Sequence, residues 1–124
     1  MENQTIKIFG DGAQLRDYIY VDDMVDAMIL AASTDRCSGE VYNLGSGTGT
    51  PFGNMAKAVV EAVGLGQVEF VPWPDDYEKN ETGHYVTDIT KARNQLGFEP
   101  KVSLLDGIER TAAYYRQYRQ HYWG

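Results

Sequence analysis

One arginine stands out among the side chains that could do chemistry. Arg16 lies inside a β-rich run, between Leu15 and the segment 17–21. An arginine in such a run either forms an ion pair with Asp17 or another neighbour, or binds an anion with its planar guanidinium group. The spacing does not separate these two alternatives, so an anion ligand at Arg16 is one of two open interpretations.

A glycine cluster at 45–49 is a second candidate for anion binding, because glycines let backbone N–H groups approach a phosphate where a helix begins. Its sequence, GSGTG, contains neither the GxGxxG nor the GK[ST] pattern. The following helix is predicted to begin at Pro51, which has no N–H to donate. These residues favour a tight connection between a strand and a helix over a phosphate loop.

The remaining reactive side chains form weaker patterns. Nucleophilic catalysis needs a base beside a serine, threonine or cysteine, and the two histidines lie in unrelated contexts. His84, within a long polar loop, is the histidine that could line a site. The single cysteine, Cys37, excludes a disulfide framework, and with only two histidines it argues against a Cys/His metal site.

The elements that must position these residues alternate between strands and helices, which predicts an α/β chain, or an α+β-like fragment, with residues 1–124 in a single domain. Asp22 or Asp23 is expected to cap the first helix, and glycines 64 and 97 are expected to end the second and third. The apolar periodicity predicts strands at 6–9, 15–21, 40–44 and 67–71, helices at 23–33, 51–63, 89–96 and from Ser103 onward, and a long loop at 75–87.

Charge and hydropathy limit the classes of partner. The 124 residues include 18 acids and 11 bases, for a net charge of -7, which argues against binding to nucleic acid or to an anionic membrane. No apolar run approaches the roughly 20 residues that span a bilayer. The first residues show no apolar stretch behind a basic head, so no secretory signal is expected. We therefore expect a cytoplasmic protein.

One long motif resembles a known family. Residues 8–23 read IFGDGAQLRDYIYVDD, which is similar, almost residue for residue, to a hallmark of the extended short-chain dehydrogenase/reductases. These are the NAD-dependent nucleotide-sugar epimerases and dehydratases. The likeness continues through VYNLGSG at 41–47, DITKA at 88–92, LGFEP at 96–100 and LDGI at 105–108, and so covers nearly the whole chain.

The resemblance implies the C-terminal, substrate-binding part of such an enzyme, because in that family these motifs follow a Rossmann portion that binds NAD. The sequence has no glycine-rich dinucleotide loop, and no tyrosine is followed four positions later by lysine, which is the family's catalytic pair. Removal of hydride from a sugar carbon needs both a nicotinamide and a phenolic base. We therefore expect no catalytic residues, no cofactor and no activity in this chain alone.

The resemblance also implies which residues bind substrate. In the family, the strand matching 7–9 follows the nucleotide base, and the arginine matching Arg16 binds the diphosphate, with Gln14 near it. A tyrosine matching Tyr85 borders the sugar in some members. The preceding loop usually supplies a second arginine, but here its only base is Lys79. The candidate substrate-binding residues are Lys7, Phe9, Gln14, Arg16, Lys79 and Tyr85.

The same resemblance implies that apolar surface is exposed. In the full enzymes, the helix matching 23–33 and the strand matching 41–45 pack against the Rossmann portion, so Met24, Met28 and Ile29 would lack partners. A second copy usually covers such a face, which predicts a homodimer. Three functions follow: a non-catalytic homologue that binds a nucleoside diphosphate or nucleotide sugar, a self-associating interaction module, or half of a split epimerase completed by a separate Rossmann chain.

Overall fold

The computed structural model describes residues 4–123 as a mixture of short strands and helices, with two single 3-10 turns at Asp35–Cys37 and Glu78–Asn80. The strands are β1 (Thr5–Phe9), β2 (Leu15–Asp17), β3 (Gly49–Pro51) and β4 (Gln67–Val71). The helices are α1 (Val21–Ala32), α2 (Phe52–Val63), α3 (Thr90–Leu96), α4 (Leu104–Gln117) and α5 (Arg119–Tyr122).

The strands form two small sheets that meet at the start of α2. β1 and β4 are parallel, and β2 and β3 are antiparallel, with Arg16 opposite Thr50. The N–H of Gly53 donates to the carbonyl of Gly12 at 2.9 Å, and the N–H of Phe52 donates to the carbonyl of Gln14 at 3.0 Å. These bonds satisfy two donors in the first turn of α2 and fix the β1–β2 connection against that helix.

Most helix ends follow the predicted signals. α2 and α3 end at Gly64 and Gly97, whose φ angles of 72° and 68° lie in the left-handed region that favours glycine. α4 begins after Ser103, whose hydroxyl oxygen accepts a hydrogen bond from the N–H of Asp106 at 3.2 Å. The predicted ends of these helices are therefore confirmed.

The predicted cap of α1 is wrong. Tyr20 precedes the helix and provides no side-chain cap, and neither Asp22 nor Asp23 has that role. Asp23 is buried, and its two carboxylate oxygens accept hydrogen bonds from the N–H groups of Lys101 and Val102, each at 3.0 Å. Asp23 therefore accepts from N–H groups almost 80 residues away along the chain instead of from those of its own helix. These bonds tie α1 to the segment before α4.

Two predicted strands also differ from the structure. The β-rich run at 15–21 is a strand only to Asp17, and residues 40–44 are irregular rather than a buried strand. Val41 is 79% exposed. A strand needs a neighbour to pair with, and within residues 4–123 no strand lies beside the segment 40–44.

The centre of apolar packing lies between α1 and α3. Ala27, Ile89, Ala92 and Phe98 are buried together there. The opposite side of α1 is exposed, and it includes Val21, Val25, Met28 and Ile29. Spacings of three and four residues place all four of these side chains on one stripe of the helix, which we call the α1 apolar face.

Aromatic rings gather at two other places. Trp73 and Tyr77 both contact Phe9 at the end of β1, with ring centroids 5.7 and 6.2 Å from it. A larger group connects α4 and α5, where neighbouring rings lie 4.7–6.3 Å apart. This group, the C-terminal aromatic cluster, consists of Tyr114, Tyr115, Tyr118, Tyr122 and Trp123.

Along residues 4–123, no helix combines the length and the apolar character that crossing a bilayer requires.

Candidate anion-binding site

Arg16 is held at the middle of β2, where its side chain is 25% exposed. Its guanidinium group donates from Nη1 to the carbonyl oxygens of Leu15 at 2.8 Å and Gly83 at 2.5 Å. Its Nη2 contacts Oε1 of Glu81 in a hydrogen-bonded ion pair. The sequence left open an ion pair or a bound anion at Arg16. The structure shows an ion pair, and its partner is Glu81, 65 residues away, rather than Asp17.

The segment 81–85 surrounds this arginine from the side of β2 that β3 does not occupy. The N–H of Leu15 donates to Nδ1 of His84 at 3.0 Å, and the N–H of Tyr85 donates to the carbonyl of Leu15 at 3.0 Å. These bonds satisfy the exposed edge of a three-residue strand. His84 thus accepts a backbone hydrogen bond at the edge of β2, and a role for it in lining a binding site stays a prediction.

Glu81 is fixed by more than its charge. The N–H of Gly83 donates to the same Oε1 that contacts Arg16, at 3.0 Å. The hydrogen bond from Arg16 is the main reason that the pKa of Glu81 lies below its usual value, and the backbone N–H groups of Gly83 and Thr82 act in the same direction. Glu81 is therefore a carboxylate at neutral pH. Sequence reasoning missed it, since an acid in a loop without periodicity gives no sign of its distant partner.

The glycine-rich stretch binds an anion, but the anion belongs to the protein. The carboxylate of Asp17 accepts from the N–H of Ser46 at 2.7 Å, from the Ser46 hydroxyl at 2.5 Å and from the N–H of Gly47 at 3.0 Å. The N–H of Thr87 adds a fourth bond at 3.1 Å. Asp17 thus joins β2 to the glycine loop and to the segment before α3.

Burial acts to raise the pKa of the Asp17 carboxyl, but the bonds from Ser46, Thr87 and Gly47 together outweigh it, so this pKa lies below its usual value. Gly45 leaves room for the arrangement. A Cβ at that position would lie 2.5 Å from Oδ2 of Asp17 and 2.6 Å from the side chain of Thr87. The φ of Gly45 is not in the left-handed region, so backbone conformation does not require glycine there. The close contacts with Asp17 and Thr87 do.

The other predicted substrate-binding residues lie on β1, directly before β2 and in the loop that follows β4. Tyr85 is 58% exposed and belongs to the segment that pairs with Leu15. Lys7 and Phe9 lie on β1, in the other sheet, and Gln14 directly precedes β2. The ammonium group of Lys79 forms an exposed ion pair with Asp76 and makes no bond to the loop at 81–83. Their roles in binding stay predictions.

A cavity of about 370 Å³ lies elsewhere, between α2 and α4. Its lining is mainly apolar and includes Val59, Val63, Ile108 and Tyr115, but not Arg16. Tyr18 also lines it. The hydroxyl of Tyr18 is buried without a hydrogen-bond partner in the described part of the chain, and burial raises its pKa. Arg16 thus lies outside this cavity.

Comparison with known proteins shows which family the chain resembles. The model of the GDP-mannose 4,6 dehydratase family matches residues 1–111. The chain is 36% identical over 122 residues to a UDP-glucose 4-epimerase of Mycolicibacterium smegmatis, with 97% of this chain and 37% of that protein covered. It is 34% identical over 121 residues to a dTDP-glucose 4,6-dehydratase of Streptomyces griseus, with 96% and 35% covered.

Solved structures agree. An epimerase from Methanothermobacter thermautotrophicus superimposes with a TM-score of 0.85 at 31% identity, over 96% of this chain and 35% of that one. A UDP-glucose 4-epimerase from Thermotoga maritima, solved with UDP-glucose, gives a TM-score of 0.77 at 38% identity, over 91% and 35%. The chain thus spans about a third of the length of the relatives that it matches.

The resemblance seen in the motif at 8–23 is confirmed, and the mixed α/β architecture with it, since the likeness extends over most of the chain in both sequence and structure. The chain therefore belongs to the GDP-mannose 4,6 dehydratase family, among the extended short-chain dehydrogenase/reductases that include nucleotide-sugar epimerases and dehydratases.

Proposed function

We propose that this chain binds the diphosphate of a nucleoside diphosphate or nucleotide sugar through Arg16, and that these residues alone do not catalyse epimerisation or dehydration. The observation that supports binding is the half-buried guanidinium of Arg16, which β2 and the loop at 81–85 hold in place and which already binds a carboxylate. A planar guanidinium that holds a carboxylate has the geometry to hold phosphate oxygens.

The proposal that catalysis is absent depends on residue types. Between residues 1 and 124 no tyrosine has a lysine four positions later, and no GxGxxG sequence occurs. Hydride transfer on a sugar would need NAD held elsewhere and a base supplied by another segment. We propose a cytoplasmic location on the charge and hydropathy arguments given above.

Calorimetric titration with UDP-glucose and dTDP-glucose, the substrates in the names of two relatives, tests binding by Arg16. We expect heat of binding for the wild type, weakening of about tenfold or more for Arg16→Ala and intermediate weakening for Arg16→Lys, which keeps the charge but loses the planar fork. Arg36→Ala removes an equal charge from an exposed arginine outside the site and should bind like the wild type. Absence of heat for every ligand at millimolar concentration would refute the proposal.

A second candidate function is self-association through the α1 apolar face. Val21, Met28 and Ile29 are each 60–61% exposed, and Val41 is 79% exposed. Apolar surface of this kind on a soluble protein marks a contact with another protein. We propose that a second copy covers it to form a homodimer. A separate Rossmann chain is the alternative occupant. Sedimentation of the purified chain at tens of micromolar distinguishes the two, because only self-association gives a dimer without another polypeptide.

A further inference from the structure

We infer that Glu81 is an internal competitor for the anion site, so that a diphosphate ligand must displace the Glu81 carboxylate from Arg16 in order to bind. This inference rests on the proposed function and specifies how the site is controlled.

The first support is that Glu81 occupies the group to which the ligand would bind. Its Oε1 contacts Nη2 of Arg16, and the two side chains are only 21% and 25% exposed. A carboxylate presents two oxygens with a shared negative charge to a guanidinium, as a phosphate does. Glu81 is thus a chemical substitute for the ligand, built into the chain.

The second support is that the loop reinforces the contact. Gly83 donates its N–H to Oε1 of Glu81 at 3.0 Å and accepts from Nη1 of Arg16 at 2.5 Å. Residues 81–83 therefore bind the guanidinium as one unit. Displacement of Glu81 must overcome an ion pair that the Gly83 N–H helps to hold in place, and this cost lowers the apparent affinity for any ligand.

The third support is electrostatic. Two anions beside one cation repel each other. Lys79 is the single base among residues 75–81, and it is already paired with Asp76. A diphosphate and the Glu81 carboxylate would therefore compete for Arg16 rather than share it.

Calorimetric titration with inorganic pyrophosphate and UDP tests the competition. We expect Glu81→Gln to bind both probes roughly three- to tenfold more tightly than the wild type, as expected for loss of a partly buried ion pair. Glu78→Gln is the matched control, because it removes the same charge from an exposed position three residues earlier. It should change the affinity less than about twofold, through long-range charge alone.

A second measurement needs no ligand. Phenylglyoxal modifies accessible guanidinium groups, and peptide mass spectrometry reports its rate at Arg16. We expect severalfold faster modification of Arg16 in Glu81→Gln than in Glu78→Gln or the wild type, with equal melting temperatures confirming that the variants are folded.

The outcomes separate the two proposals. If the wild type binds and Glu81→Gln binds no more tightly than Glu78→Gln, the competition is refuted while the proposed function stands. If no variant binds either probe, including Glu81→Gln, the proposed function fails and the competition with it. Equal modification rates at Arg16 in all three proteins would also refute the competition.

Discussion

Arg16 and Asp17 are neighbours on β2, yet their side chains contact different segments. Successive residues of a strand point to opposite faces, so Arg16 contacts the loop at 81–83 and Asp17 contacts the glycine loop at 45–47. The first contact engages the group proposed to bind ligand. The second is structural, because a partly buried network of one carboxylate and four donors holds three segments together.

The Asp17 network predicts a pH-dependent loss of stability. The pKa of Asp17 is lowered in the folded protein, so its stabilising contribution is present above its usual pKa near 4 and is lost as the pH falls through the lowered value. We expect Asp17→Asn to lower the free energy of unfolding by about 1–3 kcal/mol at pH 7. Denaturant titrations between pH 7 and pH 2 should show this difference shrinking below about pH 4.

A difference that stays constant over the whole pH range would contradict this role for Asp17. The variant Asp35→Asn, an acid of the exposed 3-10 turn at Asp35–Cys37, serves as the control and should show no such trend.

Residue-level partners were the hardest feature to predict from the sequence. Arg16 itself was identified as an anion-binding candidate, from its place in a β-rich run and from the family motif. Glu81 was not, because the two residues are 65 positions apart and an ion pair between a strand and an irregular loop leaves no periodic trace. The sequence favours a tight connection over a phosphate loop at 45–49, and in the structure this stretch binds the carboxylate of Asp17.

Elements with local signals formed where the sequence predicted them. α2 and α3 begin within one residue of their predicted starts and end before the predicted glycines, and α4 begins after the predicted Ser103, because a left-handed glycine or a serine cap acts within one turn. Elements that depend on distant partners did not. The segment 40–44 has apolar residues typical of a strand, but no strand among the described residues 4–123 pairs with it, and Asp23 joins α1 to a segment near residue 101.

The Asp23 contact predicts a large difference between two adjacent aspartates. Asp23→Asn keeps the size of the side chain but turns one acceptor into a donor, which leaves the N–H of Lys101 or Val102 without a partner beside a buried side chain. We expect a loss of about 1–3 kcal/mol in the free energy of unfolding. Asp22→Asn, on the exposed next position, should cost less than about 0.5 kcal/mol.

Denaturant unfolding of the two variants at pH 7 measures both values. Equal losses would show that charge near the start of α1, and not the tie to the segment 101–102, explains the effect of Asp23.

At the scale of the whole molecule, two properties act in opposite directions. The net charge of -7 favours separate molecules, while the α1 apolar face favours association. The carboxylates of Asp22 and Asp26 on this helix are each paired with a cation, Arg110 and Lys101. The net negative charge makes two copies repel each other, which weakens any pairing of α1 with α1. Added salt screens such repulsion, and so a homodimer should strengthen as ionic strength rises.

Charged substitutions on the α1 apolar face test this balance. We expect Met28→Lys together with Ile29→Lys to convert a dimer into a monomer, because burying two ammonium groups in a contact is costly. Leu105→Lys is the control, since Leu105 on α4 is equally exposed, at 60%, but lies outside the face. Sedimentation equilibrium at tens of micromolar measures the mass. A wild type that stays monomeric, or a double variant that stays dimeric, would contradict the assignment of this face.

Each of the two aromatic groups contains one tryptophan, whose fluorescence reports on that part of the protein. Its two tryptophans are Trp73, packed against Phe9 beside the tight turn at Gly10, and Trp123, within the C-terminal aromatic cluster. Indole emission depends on the local surroundings, so fluorescence of the native chain combines the state of the β1 terminus with that of α5. With Trp123 replaced by phenylalanine, the remaining emission would follow the strand end alone.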